Sequence, residues 1–263
     1  MQQTIEQELA RLGGRSACVV TRVEGVAPEA LVMINADQLF PAASLAKLPI
    51  LVEVARQVSE GKLAWPTRYT LPKGARVPSS GVLADLSPDL TWSLHDLACL
   101  MITISDNSAA NVLLDLVGMD AVNATMRKLG LNATSIERRF MDFMARQQGR
   151  DNWTTAGDMA RLFALLCTHT VPESERMIAI LLRQNDYMLL PGYWGEDLPF
   201  AHKTGDLVGV SHDAGLLFPP RTNNDADVAS LVVVVLTSEQ EDQPFTRYTL
   251  ARIGRLIYHQ PDA

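Results

Sequence analysis

A hydroxyl and an amine stand three positions apart in the segment FPAASLAKLPILVEVARQV, residues 40–58: Ser44 and Lys47. Downstream, Leu48, Leu51, Val52, Ala55 and Val58 recur at helical spacing, which predicts a buried helix over 44–59 with Ser44 at its mouth. On a helix, residues three apart share a face, so the two side chains meet. The free N–H groups of a first turn favour developing negative charge. A lysine that loses its water there is driven toward the neutral amine, which can accept the serine proton. The chemistry on offer is nucleophilic attack by serine without a histidine. Pro49 deletes a hydrogen bond inside the predicted helix, and the periodicity does not account for it.

The bland reading of each motif is sound when it stands alone. Serine and lysine recur at the same spacing in Ser59 and Lys62, beside Gly61 at a helix end, which reads as solvated surface. In ITISDNSAANVLLD, the triplet Ser105-Asp106-Asn107 lies between two apolar helical runs and suits a helix N-cap. In FAHKTGDLVGVSHDAGLLF, Lys203-Thr204-Gly205 precedes a predicted strand and suits a turn.

Taken together and in this order, the three motifs are the set found in class A β-lactamases and penicillin-binding proteins. The chain resembles that serine hydrolase superfamily, with class A as the nearer branch. ISDNSAANVLLD, TTAGDMARLFALL (154–166) and SHDAGLLFPP (211–220) resemble further family segments, so the similarity spans nearly the whole chain. The resemblance implies that Ser44 is acylated by an amide carbonyl and that Lys47 takes or relays its proton. It implies that Ser105 passes a proton to the leaving nitrogen, while Asn107 braces Lys47 and binds the substrate's side-chain amide. Lys203 and Thr204 would hold the substrate carboxylate. Gly205 would let substrate lie flat on the strand, and the backbone N–H groups of Ser44 and Asp206 would form the oxyanion hole. No cofactor and no metal is implied.

One departure bears on turnover. Class A enzymes use an omega-loop glutamate, followed four residues later by asparagine, to activate the deacylating water. Here the region is SIERRFMDFMARQQGRDNWTT, residues 135–155. Its only glutamate is Glu137, with Met141 four residues on; Asp142 is another nearby acid, with Arg146 at that spacing. Acylation is equipped and deacylation is not. Either Asp142 or Glu137 substitutes, or water is activated through Lys47, or the acyl-enzyme is long-lived. The bland reading of Glu137 is a surface ion pair with Arg138 or Arg139. Ala43 and Cys99 cannot form the family's disulfide.

Positioning these residues requires sheet and helices. Amphipathic periodicity predicts helices at 4–12, 93–104, 107–117, 120–129, 155–168, 173–184 and 245–259, besides 44–59. Strands are predicted at 16–23, 30–35, 211–218 and 229–238, the first two as a hairpin, and 66–88 reads as an irregular connection. The expected fold is α+β with three α/β/α layers: an antiparallel sheet from the two chain ends, flanked by helices, with an inserted helical subdomain. One catalytic domain over 1–263 is expected, its subdomains being 1–40 with 195–263, and 41–194.

A net charge of −7 and no Lys/Arg run argue against a nucleic-acid partner. Cys18, Cys99 and Cys167 lie in apolar contexts and read as buried free thiols. The segment MQQTIEQELARLGG is unlike a secretory signal, and no run suits a membrane span, so a cytoplasmic monomer acting on a small molecule is expected; had a leader been removed, it would be periplasmic or secreted. His95, His169, His202, His212 and His259 lack metal spacing, and strand alternation turns His202 away from Lys203. Three functions fit the residues: a class A type lactamase, a D-alanyl peptidase or esterase, and a non-catalytic β-lactam-sensing or ligand-binding module.

Overall fold

In a computed structural model, residues 1–24, 27–78, 80–194, 198–218 and 230–258 are described. The chain runs α1 (Gln2–Leu9), β1 (Arg15–Glu24), β2 (Ala27–Ile34), β3 (Phe40–Pro41), α2 (Lys47–Ser59), β4 (Arg68–Thr70), β5 (Thr91–Ser93), α3 (Leu94–Thr103) and α4 (Asn107–Val117). It continues through α5 (Met119–Lys128), α6 (Phe143–Gln147), β6 (Trp153–Thr154), α7 (Ala156–Cys167), α8 (Ser174–Leu181), β7 (Phe200–Leu207), β8 (Val210–Leu217), β9 (Ser230–Ser238) and α9 (Gln243–Tyr258). His259, Pro219 and Pro220 lie outside the described residues.

The main sheet has the order β2-β1-β9-β8-β7 and is antiparallel throughout, with β7 at an edge. Strand alternation explains its two cores. On β9, Val232, Val234 and Leu236 join the larger core with Leu48, Leu51, Leu113 and Phe163. Val233 and Val235 face the other way, onto Ile5 and Leu9 of α1 and Leu250, Ile253 and Ile257 of α9. A strand buried on both faces must be apolar at every position, which is why SLVVVVLTS lacks polar alternation. The result is the expected three layers, with the helical region 44–194 in sequence between the sheet's first and last strands.

Three local expectations need correction. The helix predicted over 44–59 is a 3-10 turn at Ala43–Ala46 followed by α2 from Lys47. Pro49 supplies the reason, since its ring excludes an α-helical bond to the carbonyl of Leu45, so the α-helix starts after that residue. In that register Pro49 falls in the first turn, where an N–H has no intrahelical partner. Lys203-Thr204-Gly205 lies within a strand, β7, rather than ahead of one. The connection 66–88 contains β4, which pairs with β5. None of the three cysteines forms a disulfide, as expected, but Cys99 and Cys167 are only partly buried. Burial pushes the Cys18 thiol up to about 12.

Candidate active site

The apolar face of α2 fixes the site from below. Its residues 47–55 are all buried, and Lys47 is among them with no exposed surface. Lys47 Nζ stands 2.9 Å from Ser44 Oγ, 2.9 Å from Ser105 Oγ, 2.8 Å from the Ser105 carbonyl oxygen and 2.8 Å from Asn107 Oδ1. Burial holds the Lys47 amine well below the usual lysine range; the charge of Lys203 adds to this and Asp106 opposes it. The hydrogen-bond inventory agrees with a neutral amine. Carbonyl oxygens only accept, so the two of them take its two N–H groups, leaving one lone pair for a hydroxyl proton from Ser44 or Ser105. By contrast, Ser59 and Lys62 are exposed, and Lys62 pairs with Glu60 at 2.9 Å.

Backbone strain marks both serine turns. Ala43 has φ 48° and Ser105 φ 58°, left-handed values that non-glycine residues hold only when their surroundings enforce them. At Ser105 the enforcing group is Asp106. Its Oδ1 accepts from Ala109 N–H at 2.9 Å, capping α4, and its Oδ2 accepts from Val82 and Leu83 N–H at 2.7 and 2.8 Å. The cap reading of the triplet therefore holds for its middle residue, while its neighbours face Lys47. Gly81 lets the chain pass: φ is +107°, and a Cβ there would lie 2.1 Å from Asp106 Oδ2. Beside Ala43, a Cβ on Gly205 would meet Ala43 Cβ at 3.3 Å and His212 Cδ2 at 3.3 Å.

On β7, Lys203 is fully buried and its Nζ donates to Thr204 O at 2.8 Å. Burial pushes its pKa down to about 8, against the opposing pull of Asp186 and Asp213. His202 lies on the opposite face, as alternation predicts, with Nδ1 2.8 Å from Asp213 Oδ1. Sequence reasoning gave His212 no function, yet it sits under the turn that carries Ser44. Its Nδ1 accepts from Thr237 N–H at 3.1 Å and its Nε2 lies 2.8 Å from Pro41 O, which fixes the neutral tautomer with the proton on Nε2. Burial pushes His212 down to about 4.

Ser44, Ser105 and Thr204 open onto one cleft of about 480 Å³, together with Ser80, Asn185, Asp186, Asp206 and Arg247. Asp206 is paired with Arg247 and takes Gln243 Nε2 at 2.8 Å. A larger cavity of about 760 Å³, between His169 and Arg183, shares none of these residues. Convergent polar groups, rather than size, single out the smaller one.

The two candidate acids of the 135–155 segment are not brought into this cleft. Asp142 caps α6, accepting from Ala145 N–H at 2.9 Å. Glu137 is exposed and accepts from Ser135 Oγ at 3.0 Å; the arginines expected beside it pair elsewhere, Arg138 with Asp151 and Arg139 with Asp115, both at 2.7 Å. Those pairings follow from reach: Arg138 points into the loop, where Asp151 is buried. What approaches Lys47 from this loop is Phe140, whose ring centroid is 4.8 Å from Nζ. Asn111 holds Phe140 through both backbone groups, at 2.9 and 3.1 Å. Nothing in the sequence spacing pointed to Phe140, Asp186 or Arg247. Among the described residues no group of His, Cys, Asp and Glu could hold a metal, and no helix is long and apolar enough to cross a membrane.

Comparison with known proteins fits this geometry. A family model described as "Beta-lactamase enzyme family" matches residues 1–260. A β-lactamase of Streptomyces albus G is 27% identical over 226 residues, covering 80% of this chain and 69% of the relative. The crystal structure of a β-lactamase from Sphaerobacter thermophilus DSM 20745 superposes with a TM-score of 0.86 at 30% identity, over 98% of this chain and 95% of that one. A variant of PBP-A, solved as an acyl-enzyme complex with penicillin G, gives 0.85 at 28% identity, over 98% and 94%.

Proposed function

The chain belongs to the beta-lactamase enzyme family, and from that premise we propose that it is a serine hydrolase of class A type, acylated at Ser44 by β-lactams or by related amides and esters. The observation that carries this reading is the position of Lys47 Nζ, 2.9 Å from both hydroxyls with its N–H groups claimed by carbonyls. The Lys47 lone pair takes the Ser44 proton as Oγ attacks the carbonyl carbon. The oxyanion is received by the N–H groups of Ser44 and Asp206. Ser105 then gives its proton to the leaving nitrogen as the C–N bond breaks, and the proton on Lys47 refills Ser105. The net transfer is one proton from Ser44 to the leaving amine, and Lys47 ends neutral. Lys203 and Thr204 hold the substrate carboxylate, with Gly205 giving it room against the strand. In this reading the subsidiary segments 1–40 with 195–263, and 41–194, act as one catalytic unit with a small-molecule substrate.

A specific observation favours slow release of the acyl group. The Phe140 ring occupies the approach to Lys47, while Asp142 is spent as a helix cap and Glu137 is exposed. The D-alanyl peptidase or esterase reading is therefore the second one, separated from a lactamase by the lifetime of the adduct. Incubation with a fluorescent penicillin, followed by intact mass, tests both. Wild type should gain the mass of one penicillin, and Ser44→Ala should gain none; equal labelling of the variant would end the assignment. Release within seconds marks a lactamase, and persistence for hours marks a penicillin-binding enzyme.

A further inference from the structure

We propose that Asp186 is a specificity residue that selects substrates whose leaving fragment carries an ammonium group as well as a carboxylate. This rests on the acylation of Ser44 proposed above. Asp186 shares the cleft with Ser44, Ser105 and Thr204. The other carboxylate there, Asp206, is already matched by Arg247. Asp186 has no such direct match: its Oδ1 accepts a backbone N–H, from Met188 at 3.2 Å, and although its charge acts on the buried Lys203 ammonium, among the described residues no cation lies within ion-pair distance of it.

Its placement is over-determined. Gln184 is 2% exposed and its Nε2 donates to Ile102 O at 2.9 Å, while its Oε1 accepts from Asn185 and Asp186 N–H at 2.9 and 3.2 Å. Asn185 N–H also reaches Thr103 O at 3.0 Å. The loop 184–186 is thus tied to the end of α3, which leads directly into Ser105. A half-buried carboxylate held rigidly in a polar cleft, with no cation in direct contact, favours a ligand that brings one.

Position tells which part of the ligand that is. Ser105 marks the side from which the leaving nitrogen departs, and Thr204 marks the carboxylate. Asp186 lines the same pocket, so the ammonium belongs to the leaving fragment. The chemical class is an amide whose leaving group is a diamino acid, of the form –CO–NH–CH(R)–COO⁻ with an ammonium on R. Penicillins acylate the serine without offering that cation.

The test is protection of Ser44 from a fluorescent penicillin. N-acetyl-D-alanyl-D-lysine is compared with N-acetyl-D-alanyl-D-norleucine, which has the same backbone and no side-chain charge. In wild type the lysine peptide should slow labelling at about three- to fivefold lower concentration, the upper scale of one partly exposed ion pair. Asp186→Asn, which keeps an oxygen for Met188 N–H, should bring the ratio to about one. Equal protection in wild type, protection by neither peptide, or a ratio that survives in Asp186→Asn would overturn the proposal. So would an equal weakening of both peptides in the variant together with an altered alkaline limb, which would show that Asp186 acts only through Lys203. Absence of any penicillin adduct at Ser44 would instead remove the acylation reading itself.

Discussion

The corner formed by residues 80–83 and 105–109 and the loop formed by residues 135–155 both approach Lys47, yet they handle charge in opposite ways. In the corner, one buried carboxylate, Asp106, accepts three backbone N–H groups and holds a strained serine against the amine. In the loop, Glu137 turns outward, Asp142 caps a helix and the buried Asp151 is taken by Arg138 and Arg146, and an aromatic ring faces the amine instead. On the proposed reading, a proton leaving Ser44 has a complete route on the first side. A water approaching an acyl group from the second side meets no free carboxylate among the described residues. The contrast teaches that, on the proposed reading, the two halves of a hydrolase cycle can be equipped independently, the difference lying in the side-chain chemistry of one wall.

The most severe way to break the contrast is Phe140→Glu, which puts a carboxylate where the ring faces Lys47. We expect release of a penicillin acyl group to accelerate by about 10²-fold, the usual scale of an added general base. The same charge favours the Lys47 ammonium, so acylation should slow; stopped-flow labelling and adduct lifetime separate the two rates. An unchanged lifetime would show that the ring is not the obstacle.

A smaller effect sharpens the acylating side. Lys203 loses its proton near pH 8, so its ammonium is present below that value and absent above it. Capture of substrates bearing a carboxylate should weaken by up to about tenfold per pH unit above 8, appearing in KM more than in kcat. An ester lacking the carboxylate should show no such alkaline limb.

The smallest expected effect concerns Asp142. Asp142→Ala removes a helix cap and should cost about 1 kcal/mol in denaturant unfolding, while the adduct lifetime stays as in wild type. A longer lifetime would return Asp142 to the list of bases.

Much of this was legible in the sequence for reasons of distance along the chain. Ser44 and Lys47 meet because they lie three apart in one helical start, and Asp106 caps α4 because it precedes an apolar helical run. The apolar run of β9 marked a strand, and strands at both chain ends with helices between them led to the layered fold. Other features depend on contacts that local periodicity does not encode. Phe140 reaches Lys47 from 93 positions away (140 minus 47) by way of Asn111 on α4. Arg247 meets Asp206 across 41 positions. The true helix start needed Pro49 to be read as a register constraint rather than as a defect.

His212 carries a thermodynamic cost that grows with acidity. Its imidazole is uncharged in the native protein down to about pH 4, whereas the unfolded chain takes up that proton near 6.5. Between those values the unfolded state binds more protons, so the contribution of this residue is complete above pH 6.5 and drains away as pH falls toward 4. The loss amounts to about 3 kcal/mol across that window. Urea titrations at pH 7 and 4.5 should show it in wild type, and His212→Gln should flatten the difference. Protonation at Nδ1 would set that nitrogen against the Thr237 N–H it now accepts from, so souring the solution loosens the tie between β8 and β9 beneath the Ser44 turn, and a protein of this design is suited to neutral surroundings.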